Sequence, residues 1–366
     1  MNAKIKNQAG VTLVELMISL LLGLLIALGL ATLFSQNKRS FYQNEDLSHM
    51  VEDGRYALEE LARDIAMSGF YAELSAPTWQ VDVNVFGAPG CRAANAVTTN
   101  PANPGLQVAA GPPVLSWTYA LFPRSLDPFV AEQGALAVSN NATAANAVAA
   151  FPCLAGLADL QDGSDVFFSK RVAGAPEDVL TANRVYVARR GPGVGVLALG
   201  STITASIPKA VGDPLENDWE FQPKVYYVRN ITQDVTGDGV AETIPTLCRM
   251  VLNPGPAFGE DCIAQGIERF QVEWGVDTDG DGDANAYVST LDAGLNNAAI
   301  ADPNEVVSAR ITVLARSVRP DSTYANAKTY TIADMPAYTP NDSFYRRVLS
   351  TTVMVRNVQG LNQLAF

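Results

Sequence analysis

The chain has 366 residues, of which 48% are hydrophobic and 17% charged, so it can bury a substantial core and is not a disordered polymer. Its net charge of -13 leaves too little basic surface to displace phosphate counterions, which argues against direct nucleic-acid binding. With one histidine (His49), no CxxC pair among its 4 cysteines, and no nucleophile elbow, Walker A loop or metalloprotease helix, it lacks the usual residues of hydrolytic and zinc chemistry, and we expect no enzyme.

The N-terminal stretch organises the chain. Lys4 and Lys6 precede Gln8-Ala9-Gly10, and an apolar run follows from Val11 to Phe34 that carries one carboxylate, Glu15. As a helix rising about 1.5 Å per residue, this run is about 36 Å long, enough to cross the roughly 30 Å core of a bilayer. In a secretory signal the small residues follow the apolar region, whereas here they precede it. A cut after Gly10 therefore removes only the basic leader and keeps the apolar helix. Glu15 needs a partner or an interfacial position, because a charge inside the hydrocarbon costs several kcal/mol. From Ser35 to Ser68 helical periodicity continues, with Leu47, Met50, Val51, Leu58, Leu61 and Ile65 near one face. Arg55, Glu59, Glu60, Arg63 and Asp64 fall mostly off that stripe. Gly54 falls on it, where the missing side chain allows close approach. Ser68-Gly69 reads as the stop, and His49 as a solvated residue.

Residues 76–160 are rich in Pro, Asn, Gly and Ala and predict long loops with a few short strands. From Asp165 onward strands are expected at Val166-Phe167-Phe168, Arg184 to Ala188, Lys224 to Val228, Phe270 to Val276, Val307 to Ala315 and Arg346 to Asn357. Phe270, Val272, Trp274 and Val276 alternate with Gln271, Glu273 and Gly275, which predicts a half-buried strand. One long helix followed by strands gives an α+β fold, the helix packed on antiparallel β-sheet. We expect a leader at 1–10, a helix at 11–68 that spans a membrane over 11–34, and a β-rich body at 69–366 with the insertion near 76–160.

Asp277-Thr278-Asp279-Gly280-Asp281-Gly282-Asp283 is the one cluster of ligand type. Asp277, Asp279 and Asp281 stand at the first three ligand spacings of a calcium loop, and Asp283 follows them. The twelfth position is Val288, not the bidentate Glu, so an acidic hairpin joining Phe270–Val276 to Ala286–Ser289 is the favoured reading, with calcium the alternative. Asp234 to Gly239 is a shorter turn of the same kind. The cysteines, Cys91, Cys153, Cys248 and Cys262, allow three pairings. We expect Cys248–Cys262, which closes a short loop between two strands, and Cys91–Cys153, which brackets the loop-rich insertion.

Gly10-Val11-Thr12-Leu13-Val14-Glu15-Leu16 resembles the cleavage and methylation signal of type IV prepilins and type II secretion pseudopilins. The segment Gly54 to Tyr71, together with Tyr226-Tyr227-Val228-Arg229-Asn230, Pro245-Thr246-Leu247-Cys248-Arg249 and Val355-Arg356-Asn357, resembles PilW-type minor pilins. The likeness covers both ends of the chain and not residues 76–160. Val11 stands where the family usually has Phe. The resemblance implies cleavage between Gly10 and Val11, N-methylation of Val11, and pairing of Glu15 with the N-terminal amine of a neighbouring subunit. It further implies partners among other minor and major pilins, a prepilin peptidase, and a protein that crosses the inner membrane once with a periplasmic body before joining an extracellular pilus. The implied function is that of a minor pilin of the tip or priming complex. The alternatives are a type II secretion minor pseudopilin and a membrane-anchored extracytoplasmic binding protein or adhesin.

Overall fold

The computed structural model describes residues 12–70, 72, 78–82, 98–99, 106–108, 138–157, 159–191, 194–210, 216–235, 237, 239–255, 257–289, 306–355 and 357. The chain divides into two units, residues 1–49 and 50–366. Helix α1 (Leu13–Met67) crosses that division. The first unit is taken up with the site below.

In the second unit the end of α1 buries Met50, Leu58, Leu61 and Ile65 of the predicted stripe, with Gly54 and also Ala57, on the strands of the body, while Val51 of the stripe is half-buried, as is Leu47 before it. Burial of one such large side chain contributes about 1.5–3 kcal/mol. Gly54 is where helix and sheet come closest. A Cβ built there would lie 2.5 Å from Leu349 Cδ1 and 3.2 Å from Ala315 Cβ. The helix stops as expected at Gly69, whose φ of 76° is the left-handed conformation common after a helix end. Glu60 and Asp64 correct the sequence reading, because both are buried rather than off the packed face.

The strands form three sheets. The first has the order β2-β3-β1-β7-β6-β8, built from β1 (Thr78–Asp82), β2 (Thr98–Thr99), β3 (Leu106–Val108), β6 (Val185–Arg189), β7 (Val194–Leu199) and β8 (Asp218–Glu220). Here β1 runs parallel to β7, a departure from the all-antiparallel expectation. A parallel pair needs a long crossover, and more than a hundred residues separate these two strands. Helix α3 (Gly200–Ser206) sets Ile203 into a small core with Tyr186, Ala188, Val196 and Ala198.

The second sheet, β11-β10-β9-β5-β4, comprises β4 (Val138–Ala142), β5 (Ser164–Ser169), β9 (Lys224–Gln233), β10 (Glu242–Asn253) and β11 (Ala257–Gln265), with α2 (Ala144–Ala150) after β4. The third, β13-β12-β14-β15, comprises β12 (Ile267–Val276), β13 (Ala286–Val288), β14 (Val306–Arg316) and β15 (Arg346–Met354). Phe167 of β5 lies between Tyr226 of β9 and Trp274 of β12, with ring centroids 6.3 and 6.1 Å apart, so the second and third sheets share this core.

Cys248 and Cys262 are bonded across the β10–β11 pair, where they stand opposite each other in register. Cys153 is also disulfide-bonded, and Cys91 lies outside the described residues. β12 is not half-buried. Gln271 and Gly275 are buried as fully as Phe270 and Val272, because Gln271 reaches Asn141 of β4 and the Gly163 carbonyl, and Gly275 lies against Ser308, Ala284 and Tyr287.

Gly54 gives the first test of this packing. Gly54→Ala should be nearly neutral, since Leu349 Cδ1 is the free end of a flexible side chain and alanine favours the helix by about 1 kcal/mol. Gly54→Leu should destabilise by about 1–3 kcal/mol through overpacking against Ala315 and β15. Denaturant unfolding of the two variants beside the parent checks both.

Candidate functional site

Thr12 opens α1. Its hydroxyl accepts the Glu15 N–H at 3.2 Å and its carbonyl accepts the Leu16 N–H at 3.1 Å, which satisfies donors left open at a helix start. From Leu13 to Phe34 the helix exposes its large apolar side chains, and its length and composition suffice to cross a membrane. The hydroxyls in this run are turned back onto the helix. Ser19 Oγ donates to the Glu15 carbonyl at 2.7 Å and Thr32 Oγ1 to the Gly29 carbonyl at 2.8 Å, so neither is an orphan in hydrocarbon. Lys38 follows one turn after Phe34, its ammonium 5.6 Å from the Tyr42 ring, and Phe41 is exposed beside it. Basic and aromatic residues at this position suit the membrane–water boundary. The Glu15 side chain is exposed on this apolar surface. Gly10 and Val11 lie outside the described residues.

In the second unit, the end of the helix is held by a buried charge. Asp64 is 1% exposed, and its carboxylate accepts from Arg171 Nε at 3.0 Å, Lys224 Nζ at 2.7 Å and the Tyr226 hydroxyl at 2.5 Å. Its carbonyl accepts from Ser68 and Ser169 hydroxyls at 2.7 and 3.1 Å. Asn357 Nδ2 donates to the Ala66 and Ser68 carbonyls at 3.2 and 3.3 Å, and the Gly69 N–H donates to the Lys170 carbonyl at 2.9 Å. The carbonyls that a helix end leaves open are thus taken up by β5 and by the chain after β15. Burial pushes the Asp64 carboxyl up, but Lys224 first and Arg171 next outweigh it, with the Tyr226 hydroxyl adding to them, and the net direction is down. One turn earlier, Glu60 pairs with Arg249 of β10 at 3.1 Å and with Arg63 at 2.6 Å.

The acidic segment is a hairpin loop between β12 and β13, which pair at Trp274–Val288 and Val276–Ala286. Asp277 folds it. Its carboxylate accepts N–H groups from Asp279, Gly280 and Gly282 at 3.2, 2.6 and 2.7 Å, and these donors, Gly282 first, hold it below the usual carboxylate range. Asn285 closes the loop by accepting the Thr278 N–H at 2.7 Å and donating to Asp279 at 3.2 Å. One oxygen from each of Asp277, Asp279 and Asp281 falls within 4.8 Å of the others, and Asp283 stands outside that group. Asp234 does the same for the β9–β10 turn, accepting the Gly237 and Gly239 N–H groups at 2.7 and 2.9 Å.

Comparison with known families places both ends of the chain. Residues 5–31 match the prokaryotic N-terminal methylation motif, and residues 225–357 match the family of type IV pilus-assembly protein W, PilW. Residues 225–357 are a PilW region. This PilW region holds β9 after its first residue, all of β10 to β15, and Asn357 at the helix end. No curated protein and no solved structure matches the chain. With the methylation motif on its apolar helix, the protein is a type IV pilus-associated, pilin-like protein. The match leaves out the six-stranded sheet, which lies wholly between α1 and the PilW region.

Sequence reading located Glu15 and the acidic loop but missed Asp64, because its partners lie 107 and more positions away in the chain. The one available signal was a carboxylate next to the packed stripe, one residue before Ile65. Asp64→Asn should destabilise the protein by about 3 kcal/mol at pH 7, since it leaves two half-buried cations without their carboxylate. A lowered folded-state pKa means that the carboxylate's contribution is present above the unfolded value near about 4 and is lost as pH falls through the folded value. The parent should therefore lose stability below about pH 4 more steeply than Asp64→Asn, as read from urea midpoints between pH 2.5 and 7.

Proposed function

We propose that the protein is a minor pilin that enters the tip or priming complex of a type IV pilus. The observation that carries this reading is the combination, on one chain, of a methylation motif on an exposed apolar helix with a PilW region whose sheets grip the end of that same helix. In this reading residues 1–10 are a leader removed by a prepilin peptidase, residues 11–34 cross the inner membrane once, and the β-rich body stands in the periplasm until other minor and major pilins take the subunit into a filament. Glu15 then pairs with the N-terminal amine of a neighbouring subunit. Both charges enter the apolar filament core as a neutral pair, which is the condition for burying either. The Asp277 loop serves as a turn rather than a calcium site, a reading supported by the three backbone N–H groups already bound to Asp277.

Two outcomes are expected. In cells that contain a prepilin peptidase, the membrane-extracted protein should begin at methylated Val11 by intact mass, and Gly10→Val should leave it beginning at Met1. Glu15→Val should insert in the membrane as well as the parent, since it only makes the helix more apolar, yet be depleted from sheared pili. Pili carrying Glu15→Val at the parent's level would remove the charge-pairing role.

A further inference from the structure

Among the described residues each sheet has two edge strands, and all but one of these edges are guarded against further pairing. In the first sheet they are β2 and β8, of 2 and 3 residues, too short to hold a foreign strand. In the second sheet both edges have a broken register, β4 between Ser139 and Ala142 and β11 opposite the Leu247–Cys248 step, and Cys262 ties β11 to β10. In the third, β13 has 3 residues, and the β12 edge beyond it is taken by Ser164 and Asp165, which accept the Phe270 and Val272 N–H groups at 3.1 and 2.8 Å.

β15 is the exception. Its 9 residues pair with β14 step for step, from Arg316 opposite Arg346 to Ser308 opposite Met354, without a bulge, and no described strand lies on its other edge. From Val348 to Met354 it carries no charge, proline or glycine, which is the composition that pairs most readily. Leu349 faces the helix at Gly54, so Val348, Ser350, Thr352 and Met354 stand on the opposite face, and all four are exposed. Val348 and Met354 are 41% and 52% exposed, and among the described residues no other strand leaves a large apolar side chain so open. At the start of the strand Arg346 turns inward to Glu268 and Asp342, whereas Arg347 is exposed and has no acidic partner among the described residues.

We propose that the free edge of β15 is a docking site for an extended segment of another polypeptide, which joins the third sheet as an antiparallel strand with apolar side chains over Val348 and Met354 and a carboxylate beside Arg347. Main-chain hydrogen bonds along β15 supply the affinity, and the side chains on its open face supply the selection. The antiparallel sense matches every pairing already present in this sheet. Charge selects the occupant. A second copy paired antiparallel about Ser350 sets Arg347 against Val353 twice, and a parallel copy in register sets Arg347 against Arg347, so neither brings a carboxylate to it. Each copy also carries a net charge of -13, which opposes self-association.

The test uses the detergent-solubilised full chain with its disulfides intact and, as probe, an acetylated and amidated peptide as long as β15, in which valine and threonine alternate and a glutamate stands at the C-terminal end, where antiparallel pairing sets it beside Arg347. Every second amide of β15 points away from β14, and hydrogen–deuterium exchange at these amides is read with and without the peptide. They should exchange rapidly in the chain alone at every protein concentration and become protected as peptide is added. Lysine in place of the peptide's glutamate should weaken binding about fivefold, and Arg347→Glu should reverse that preference. Outer amides already protected in dilute protein mean that the chain covers its own edge, and protection that grows with protein concentration alone means a second copy; either result overturns the proposal. So does exchange left unchanged by the peptide, or a charge preference that Arg347→Glu does not move.

Discussion

A single buried carboxylate, Asp64, carries the attachment of helix to body. Hydrophobic contacts along Met50, Leu58, Leu61 and Ile65 supply most of the burial, but they are non-directional and would tolerate sliding of the helix along its groove. Arg171, Lys224 and Tyr226 approach Asp64 from β5's end and from β9, and an ion held by three donors from two places has one position only. That register fixes which side of the helix end faces β9 and β15.

The same preference for side chains at open backbone positions recurs through the body. Asn357 and Ser169 take the last carbonyls of α1, Ser164 and Asp165 take the unpaired N–H groups of β12, and Asp277 and Asp234 take those of their turns. Each is a short polar side chain supplying the partner that a neighbouring strand or turn does not. With three sheets among the described residues, sheet edges and helix ends are numerous. Sealing them locally also limits pairing with foreign strands.

Sequence was most informative where physics is local. The apolar run around Glu15, the stripe from Met50 to Ile65, the stop at Gly69 and the hairpin folded by Asp277 all follow from neighbours within a few residues. The strands at Phe167, Val187, Tyr226 and Val313 were legible because β-branched and aromatic runs are bounded by turn residues. Reading failed where an interaction depended on distant chain. Glu60 and Asp64 look solvated until Arg249 and Lys224 are placed beside them, and Gln271 looks like the wet side of a strand until Asn141 and the Gly163 carbonyl meet it. The parallel β1–β7 pair has no local signature, since nothing in residues 78–82 announces a partner at 194–197.

Asn357 adds an order of events. The carbonyls at the end of α1 are met by a side chain 291 and 289 positions further along the chain, and wait for it during synthesis. Lys224, which with Arg171 offsets the charge of Asp64, and Tyr226, which donates to it, are likewise made long after Asp64 itself. Until they are made, the end of the helix lacks two of the three donors that hold its charge. Contacts of such long sequence separation form slowly. A chain whose synthesis stalls before β9 has the end of α1 formed but unlatched, which makes the docked helix end a marker that the strands beyond it have been made.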